Sequence, residues 1–247
     1  MTSRDGGISQ PPYAHMNLGD HVQDDAQAVA HNRCQLAQAT GGAQPVFLQQ
    51  VHGVGVARLG ADAPAYDPPL QADACLSTAA GVACTIMVAD CLPVLLTHKT
   101  QRMTGAAHAG WRGLAGHGGS GVLEQLVHHM RQAAPQAAMD GWLAWLGPCI
   151  GPSAFEVGDE VRHAFVAHST QAHACFEPAP QSGQSGKWLA DLAGLARQRL
   201  AALGVQAVYG NDSTALWCTY GNAARYYSYR REARTGRMAA AVWLRPD

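Results

Sequence analysis

Three side chains that can bind a metal ion stand near the ends of predicted strands: His52, Cys91 and His108. Two imidazoles and one thiolate can hold a zinc ion and leave a fourth position open for water or substrate, which is the pattern of a catalytic zinc site. Because ligands of α/β folds collect at strand ends, we expect these three side chains to meet at one edge of a sheet.

The three residues are far apart along the chain, with 39 positions from His52 to Cys91 and 17 from Cys91 to His108. Structural zinc sites usually contain closely spaced pairs such as Cys-x-x-Cys or His-x-x-x-His, and this sequence contains neither. The spacing alone leaves two interpretations open. One is a catalytic metal site, and the other is an ordinary buried thiol with two hydrogen-bonded loop histidines.

Composition excludes several classes of protein. The chain has 247 residues, of which 47% are hydrophobic and 14% are charged, so it is not intrinsically disordered. A net charge of −1 argues against nucleic acid as a partner, although arginines and tyrosines alternate between Arg225 and Arg237. Seven cysteines without a recognisable signal peptide favour reduced thiols and a cytoplasmic location. The most apolar segment, residues 83–97, is too short to cross a membrane, so we expect no membrane partner.

Hydrophobic periodicity predicts helices that alternate with strands. The predicted helices cover residues 22–40, 120–134, 157–168 and 188–203, with Ser120 as an N-cap, and the predicted strands cover residues 45–59, 82–88, 94–97, 103–108, 142–146, 205–209, 226–229 and 238–244. The apolar run 82–88 is typical of a strand that is buried on both faces. We therefore predict one α/β (mixed α+β) domain over residues 1–247, with mixed sheets flanked by helices and a metal pocket at strand ends.

Several motifs, in order along nearly the whole chain, resemble the laccase-domain family, whose members are also described as multicopper polyphenol oxidases, purine nucleoside phosphorylases and peptidoglycan editing factors. The most specific are Ala89-Asp90-Cys91-Leu92-Pro93 and His108-Ala109-Gly110-Trp111-Arg112-Gly113. Similar segments lie at residues 3–9, 13–18, 32–33, 50–53, 146–152, 155–158, 218–219, 227–231 and 235–237.

The resemblance implies that His52, Cys91 and His108 form the metal site. It also implies cleavage of adenosine, inosine and methylthioadenosine with phosphate, and deamination of adenosine, so the expected partners are small molecules. We expect zinc as the metal, although copper(II) suits the same ligands. A multicopper oxidase needs more histidines, often as His-x-His pairs, and the sequence has none. We therefore interpret phenol oxidation as a side reaction of a copper-substituted site.

Phosphorolysis requires a site for a dianionic phosphate, which arginine binds well. Arg112, four residues after His108, is a candidate for this role, and its alternative is a surface ion pair. Arg4 lies in a segment similar to the family and is a weaker candidate for binding phosphate or ribose. Asp90 is predicted to support its neighbour Cys91 or to act as a general acid or base, and its alternative is a turn residue at a strand end.

Two features depart from the family pattern. Ser153 and Ala154 stand where many members have cysteines, and residues 116–119 form a small glycine-rich insertion. His117 in this insertion is either an extra ligand or a surface histidine.

Two further hypotheses remain. In one, Cys91 is a nucleophile and His108 its base, in a cysteine hydrolase that edits peptidoglycan precursors. In the other, zinc only holds loops together in a binding module without catalytic activity.

Overall fold

The computed structural model of the chain describes residues 1–63, 67–179 and 186–245, in which helices and strands alternate. The helices are α1 (Ala26–Ala39), α2 (Trp111–Ala115), α3 (Val122–Ala133), α4 (Asp159–Val166), α5 (Leu192–Ala202) and α6 (Tyr229–Glu232). The strands are β1 (Gln44–Val46), β2 (Val56–Leu59), β3 (Ala74–Ser77), β4 (Val82–Val88), β5 (Leu92–His98), β6 (Thr104–Ala109), β7 (Trp142–Leu146), β8 (Glu156–Gly158), β9 (Phe176–Pro178), β10 (Lys187–Ala190), β11 (Ala207–Gly210) and β12 (Met238–Trp243). The predicted mixed α/β class is confirmed.

Three sheets organise these strands. The largest has six strands in the order β11-β7-β5-β6-β3-β2 and is mixed, since β5 and β6 are antiparallel whereas β2 and β3 are parallel. A three-stranded sheet in the order β1-β4-β12 lies against it, with β4 contacting β3 and β6. The third sheet, in the order β8-β10-β9, is antiparallel.

Strand β4 is the centre of its sheet, with β1 on one side and β12 on the other. All seven of its residues are buried, which confirms the prediction of a strand covered on both faces. The chain leaves β4 at Val88 and re-enters the six-stranded sheet at Leu92 as β5. The short connection between them therefore lies where two packed sheets meet.

Helix α3 covers the six-stranded sheet, where it contacts β6 and β3. Its predicted apolar stripe is confirmed, because Val122, Leu123, Leu126, Val127 and Met130 are all buried. The predicted cap at Ser120 is wrong by one residue: Gly121 is the N-cap, and its amide donates to Glu124 at 2.8 Å.

Other predicted elements differ from the structure for local reasons. The extended segment 45–59 is two short strands, β1 and β2, separated by a loop that carries His52. Helix α5 begins at Leu192 rather than at 188, because the Asp191 carboxylate accepts from the amide of Gly194 and caps the helix there.

In two further segments the predicted secondary structure is wrong. Residues 226–229 are not a strand: Ser228 caps the short helix α6, and its hydroxyl accepts from the amide of Arg231. Val157 belongs to strand β8 rather than to a helix, and α4 starts at Asp159.

Candidate metal centre

Strand register brings the predicted ligands together at one edge of the six-stranded sheet. Pro93 of β5 is paired with His108 of β6, and Leu92 with Ala109, so Cys91 lies directly beyond the last of these pairs. His52 comes from the loop between β1 and β2. One ligand atom from each of His52, Cys91 and His108 lies within 4.8 Å of the other two, a spacing that fits a shared metal ion.

The three ligands differ in exposure. His108 is buried with 3% of its surface accessible, Cys91 is half-buried, and His52 is exposed. The two imidazole rings meet edge to face with their centroids 4.8 Å apart. His108 therefore forms the buried side of the site, and His52 forms the side that is accessible to solvent.

His108 is oriented by Asp73, a fully buried residue that immediately precedes β3. The Nδ1 atom of His108 lies 2.8 Å from Oδ1 of Asp73, and the backbone amide of His108 donates to the carbonyl oxygen of Asp73 at 2.7 Å. Since Nδ1 faces Asp73, the Nε2 atom of His108 is the one available to a metal. A carboxylate on the far nitrogen is the usual support of a metal-binding histidine.

The same carboxylate also shapes the loop that carries His52. The backbone amides of Val51, His52 and Gly53 donate to Asp73 at distances of 3.1, 2.9 and 2.7 Å. His52 has a positive φ of 60°, a left-handed conformation that is uncommon for a residue with a side chain. Asp73 thus stabilises both histidine positions, one through its ring and the other through its backbone.

Charge couples the ligands. Burial alone would raise the pKa of the Cys91 thiol, but His108 and His52 outweigh it and lower this pKa to about 6. Burial would lower the pKa of His108, whereas Cys91 and Asp73 raise it to about 9. Burial also opposes ionisation of Asp73, yet hydrogen bonds from His108 and the loop amides lower its pKa. The arrangement thus favours a thiolate at Cys91, the form that binds metals.

Space for the three ligands depends on Gly110. A Cβ atom at this position would lie 3.0 Å from Sγ of Cys91 and 3.2 Å from Cδ2 of His52. Both distances are shorter than ordinary van der Waals contacts, so any side chain at position 110 would displace the ligands. The glycine of the His-Ala-Gly-Trp-Arg-Gly motif therefore has a steric role in the site.

The ligands open into a cavity of about 560 Å³, a volume in the range of small-molecule sites. Its walls combine apolar side chains with several cationic ones. The lining residues are His21, Gln50, His52, Met87, Val88, Ala89, Asp90, Cys91, His108, Gly110, Trp111, Arg112, Ile150, Phe155, Tyr229, Arg230 and Arg237.

Two of the other predicted site residues line this cavity. Asp90 has a positive φ of 91°, and its carboxylate accepts from the Thr219 hydroxyl at 2.6 Å and from the Arg230 amide at 2.7 Å. Arg112 is exposed and lies over the ring of Trp111, with its guanidinium carbon 4.5 Å from the ring centroid.

Arg4 and His117 lie elsewhere. Arg4 forms an ion pair with Glu232 at 3.1 Å and stacks on Tyr227, and it is not among the cavity-lining residues. Its predicted role in substrate binding stays a prediction. His117 is exposed and outside the group of metal-binding side chains.

Sequence reasoning missed Asp73, because no strand was predicted around residues 74–77. A signal was present: Ala72-Asp73-Ala74-Cys75-Leu76 has the same order of small, acidic and apolar residues as Ala89-Asp90-Cys91-Leu92. In both segments an aspartate precedes a buried strand. Arg237 lies in one of the segments similar to the family, residues 235–237, but the sequence alone predicts no role for it in the site.

Comparison with known proteins identifies relatives over the whole chain. The family model described as multi-copper polyphenol oxidoreductase laccase matches residues 1–245. A protein named purine nucleoside phosphorylase from Pseudomonas aeruginosa is 48% identical over 99% of this chain and 92% of its own length. A protein of the same name from Escherichia coli is 45% identical over 98% of this chain and 92% of its own length.

Solved structures agree with these matches. A Neisseria meningitidis protein has a TM-score of 0.85 and 41% identity, over 100% of this chain and 93% of its own length. A Bacillus licheniformis protein has a TM-score of 0.88 and 26% identity, over 98% of this chain and 91% of its own length. The resemblance found in the sequence motifs is confirmed. Among the described residues, no helix combines the length and apolar character needed to cross a bilayer.

Proposed function

The chain belongs to the multi-copper polyphenol oxidoreductase laccase family, and we propose that it is a metal-dependent purine nucleoside phosphorylase. The observation that carries the proposal is the meeting of His52, Cys91 and His108 within 4.8 Å in a cavity of small-molecule size. The relatives named purine nucleoside phosphorylase support the same reaction class. The proposed substrates are adenosine, inosine and methylthioadenosine, with adenosine deamination as a side activity.

The donor set fits zinc. Two imidazole nitrogens and one thiolate match the mixed ligands of this ion, and three protein ligands leave a position for a small molecule. Copper(II) binds the same donors strongly, so phenol oxidation is proposed only for a copper-substituted protein. A bound zinc ion would supply Lewis-acid polarisation of an oxygen or nitrogen atom within the cavity.

Residues of the cavity wall are proposed to bind the base and the phosphate. Apolar and aromatic walls, including Phe155 and Ile150, provide a surface against which a planar base can pack. Arg112 at the cavity wall is proposed to bind phosphate, because its guanidinium has no carboxylate partner in the part of the chain that the structure describes. Asp90, at the same wall, is proposed either to support its neighbour Cys91 or to act as a general acid or base.

The test is release of free base from inosine or adenosine in the presence of phosphate, followed by chromatography. We expect His108→Ala to abolish turnover, and we expect His117→Ala, at an exposed histidine outside the trio, to leave it unchanged. Chelation should remove activity and added zinc should restore it. Equal, trace release by the wild type and His108→Ala would contradict the proposal.

A second candidate is a cysteine hydrolase acting on peptidoglycan precursors. One observation favours it: Asp73, His108 and Cys91 form a chain in which a carboxylate orients an imidazole beside a thiol. His52 has no part in such a triad, although it lies as close to Cys91 as the metal cluster requires. Alkylation of Cys91 would block a hydrolase whatever its metal content, whereas chelation would block only the metal enzyme.

A further inference from the structure

Arg237 lines the same cavity as the three candidate ligands and stands immediately before strand β12. Its backbone is firmly held, because its amide donates to the side chain of Asn17 at 2.8 Å and its carbonyl accepts from Leu18 at 3.0 Å. Asn17 and Leu18 are both fully buried. The guanidinium is therefore attached to a rigid part of the core.

The charge of Arg237 has no ion-pair partner among residues 1–63, 67–179 and 186–245. Its Nη1 atom donates to the carbonyls of Thr235 and Gly236 at 3.0 and 3.1 Å, and no described residue accepts from Nε or Nη2. The side chain is half-buried. Burial lowers the pKa of Arg237, while the nearby charges of Cys91 and Asp90 oppose this shift. A cation that is partly removed from water is stabilised when an anion binds to it.

Asp90 cannot fill this role by itself. Its two carboxylate oxygens already accept from the Thr219 hydroxyl and the Arg230 amide, and it forms no ion pair with Arg237 in the described structure. Some arginines elsewhere in the chain, in contrast to Arg237, have carboxylate partners. Arg33 pairs with Asp20 at 3.1 Å, and Arg199 pairs with Glu124 at 2.9 Å.

Two other arginines of the cavity share this lack of a carboxylate partner in the structure described. Arg230 donates to the carbonyl of Glu156 at 3.1 Å and lies over the ring of Phe155. Arg112 lies over Trp111. Among the described residues, three guanidinium groups thus face one cavity that is also lined by one carboxylate, Asp90, and one thiolate, Cys91, in a chain whose net charge is −1. The local excess of positive charge favours a multiply charged anion.

We propose that Arg237 is the main anchor of an inorganic phosphate subsite, with Arg112 and Arg230 contributing to the same positive field. The inference rests on the proposed phosphorolysis and adds the residue that binds the second substrate. A guanidinium with Nε and Nη2 directed toward the same side can donate two parallel hydrogen bonds to one phosphate. The cavity, at about 560 Å³, has room for a nucleoside and a phosphate together.

The experiment compares Arg237→Gln and Arg237→Lys with Arg58→Gln, which changes an exposed arginine on the edge strand β2. Phosphate binding to the metal-loaded protein is measured by isothermal titration calorimetry, and KM is measured separately for phosphate and inosine. We expect Arg237→Gln to weaken phosphate binding by about 10- to 100-fold with the KM for inosine within about twofold. The phosphate affinity of Arg237→Lys should lie between those of the wild type and Arg237→Gln, since lysine keeps the positive charge but cannot donate two parallel hydrogen bonds to one phosphate.

Each other result is decisive. Phosphate binding by Arg237→Gln that equals the wild type overturns the inference, and so does a wild type that binds no phosphate. A purely structural role would lower Tm and raise both KM values together, which also overturns it. Tighter binding of adenosine monophosphate than of inorganic phosphate, lost in Arg237→Gln, would assign the subsite to a substrate phosphate instead and contradict the co-substrate role.

Failure of the proposed function gives a different pattern. If the wild type releases no base from any nucleoside, phosphorolysis is wrong, but loss of phosphate binding in Arg237→Gln would still support the anion site. If base release proceeds and Arg237→Gln retains the wild-type KM for phosphate, phosphorolysis stands and the assignment of Arg237 fails.

Discussion

Asp73 and His108 are joined by a hydrogen bond of 2.8 Å between a carboxylate oxygen and Nδ1, in a pair with almost no access to solvent. The antiparallel pairing of β3 with β6 produces this contact: Ala74 is paired with Ala107, so Asp73, one residue before Ala74, lies opposite His108, one residue after Ala107. The bond fixes which imidazole nitrogen is available to a metal, so we predict that Asp73 positions His108 in the candidate metal centre.

The first prediction concerns this contact. Asp73→Asn keeps the size of the side chain. It removes the negative charge, and so weakens the hydrogen bond to His108 and the hydrogen bonds that the side chain accepts from the loop amides. We expect metal affinity to fall about 10- to 100-fold, the usual effect of losing a carboxylate behind a histidine ligand. Competition with a chromogenic chelator measures the affinity. Asp140→Asn, at an exposed site, is the control, and equal affinity for Asp73→Asn and wild type would contradict the role.

The candidate ligands could be predicted from sequence only in part, because their spacing alone also fits an ordinary buried thiol with two loop histidines, and the family resemblance is what pointed to a shared metal site. His52, Cys91 and His108 each stand at a strand end or in a glycine-containing loop, and the motifs around Cys91 and His108 are specific. Strand β4 and the stripe of α3 were also predictable, because their apolar periodicity is strong. These features depend on neighbours along the chain.

The features that could not be predicted depend on contacts between distant segments. Asp73 reaches His108 only through strand pairing, and Arg237 reaches the cavity only because β12 joins β4. The segment around Trp188 has an apolar helical stripe, yet it pairs with β8 and β9 as strand β10. Tertiary pairing there overrides local periodicity.

The second prediction uses the steric role of Gly110. Gly110→Ala would place a methyl group 3.0 Å from Sγ of Cys91 and force the ligands apart by a few tenths of an ångström. Metal sites tolerate deviations of only about 0.2 Å, so we expect at least about a tenfold loss of zinc affinity with a small change in Tm. Gly55→Ala in the His52 loop is the matched control, because its nearest contact is an ordinary 3.7 Å. Zinc content after dialysis, measured by atomic emission, decides the matter: full occupancy in Gly110→Ala would exclude the steric role.

The third prediction separates two roles of Asp90. Both of its oxygens already accept hydrogen bonds, one from Thr219 and one from Arg230, which favours a role in positioning the Cys91 segment. Asp90→Asn is suited to the test, since asparagine tolerates a positive φ. We expect about a tenfold decrease in kcat with an unchanged pH profile of kcat/KM. Disappearance of one limb of that profile, with a loss of about 10²- to 10⁴-fold, would instead identify Asp90 as a general acid or base.

The fourth prediction concerns Glu232, which connects the N-terminal segment to helix α6. Its carboxylate accepts from Arg4 at 3.1 Å, from Arg231 at 2.9 Å and from the Thr235 hydroxyl at 2.5 Å. Burial opposes ionisation of Glu232, but the hydrogen bonds from Thr235 and Arg231 and the charges of Arg231 and Arg4 lower its pKa below the ordinary 4.5. The carboxylate therefore stabilises the fold above that pH.

Because the pKa of Glu232 is lower in the folded chain than in the unfolded one, its contribution is complete at neutral pH and is lost as the pH falls through the folded value. We expect Glu232→Gln to reduce the free energy of unfolding by about 1 kcal/mol at neutral pH, a modest amount because the group is partly exposed. Urea unfolding followed by circular dichroism at about pH 7 and about pH 4 should show the difference narrowing at the lower pH. Glu177→Gln, at an exposed position in β9, should show no difference at either pH. A deficit in Glu232→Gln that is independent of pH would show that the charge of Glu232 contributes nothing to stability.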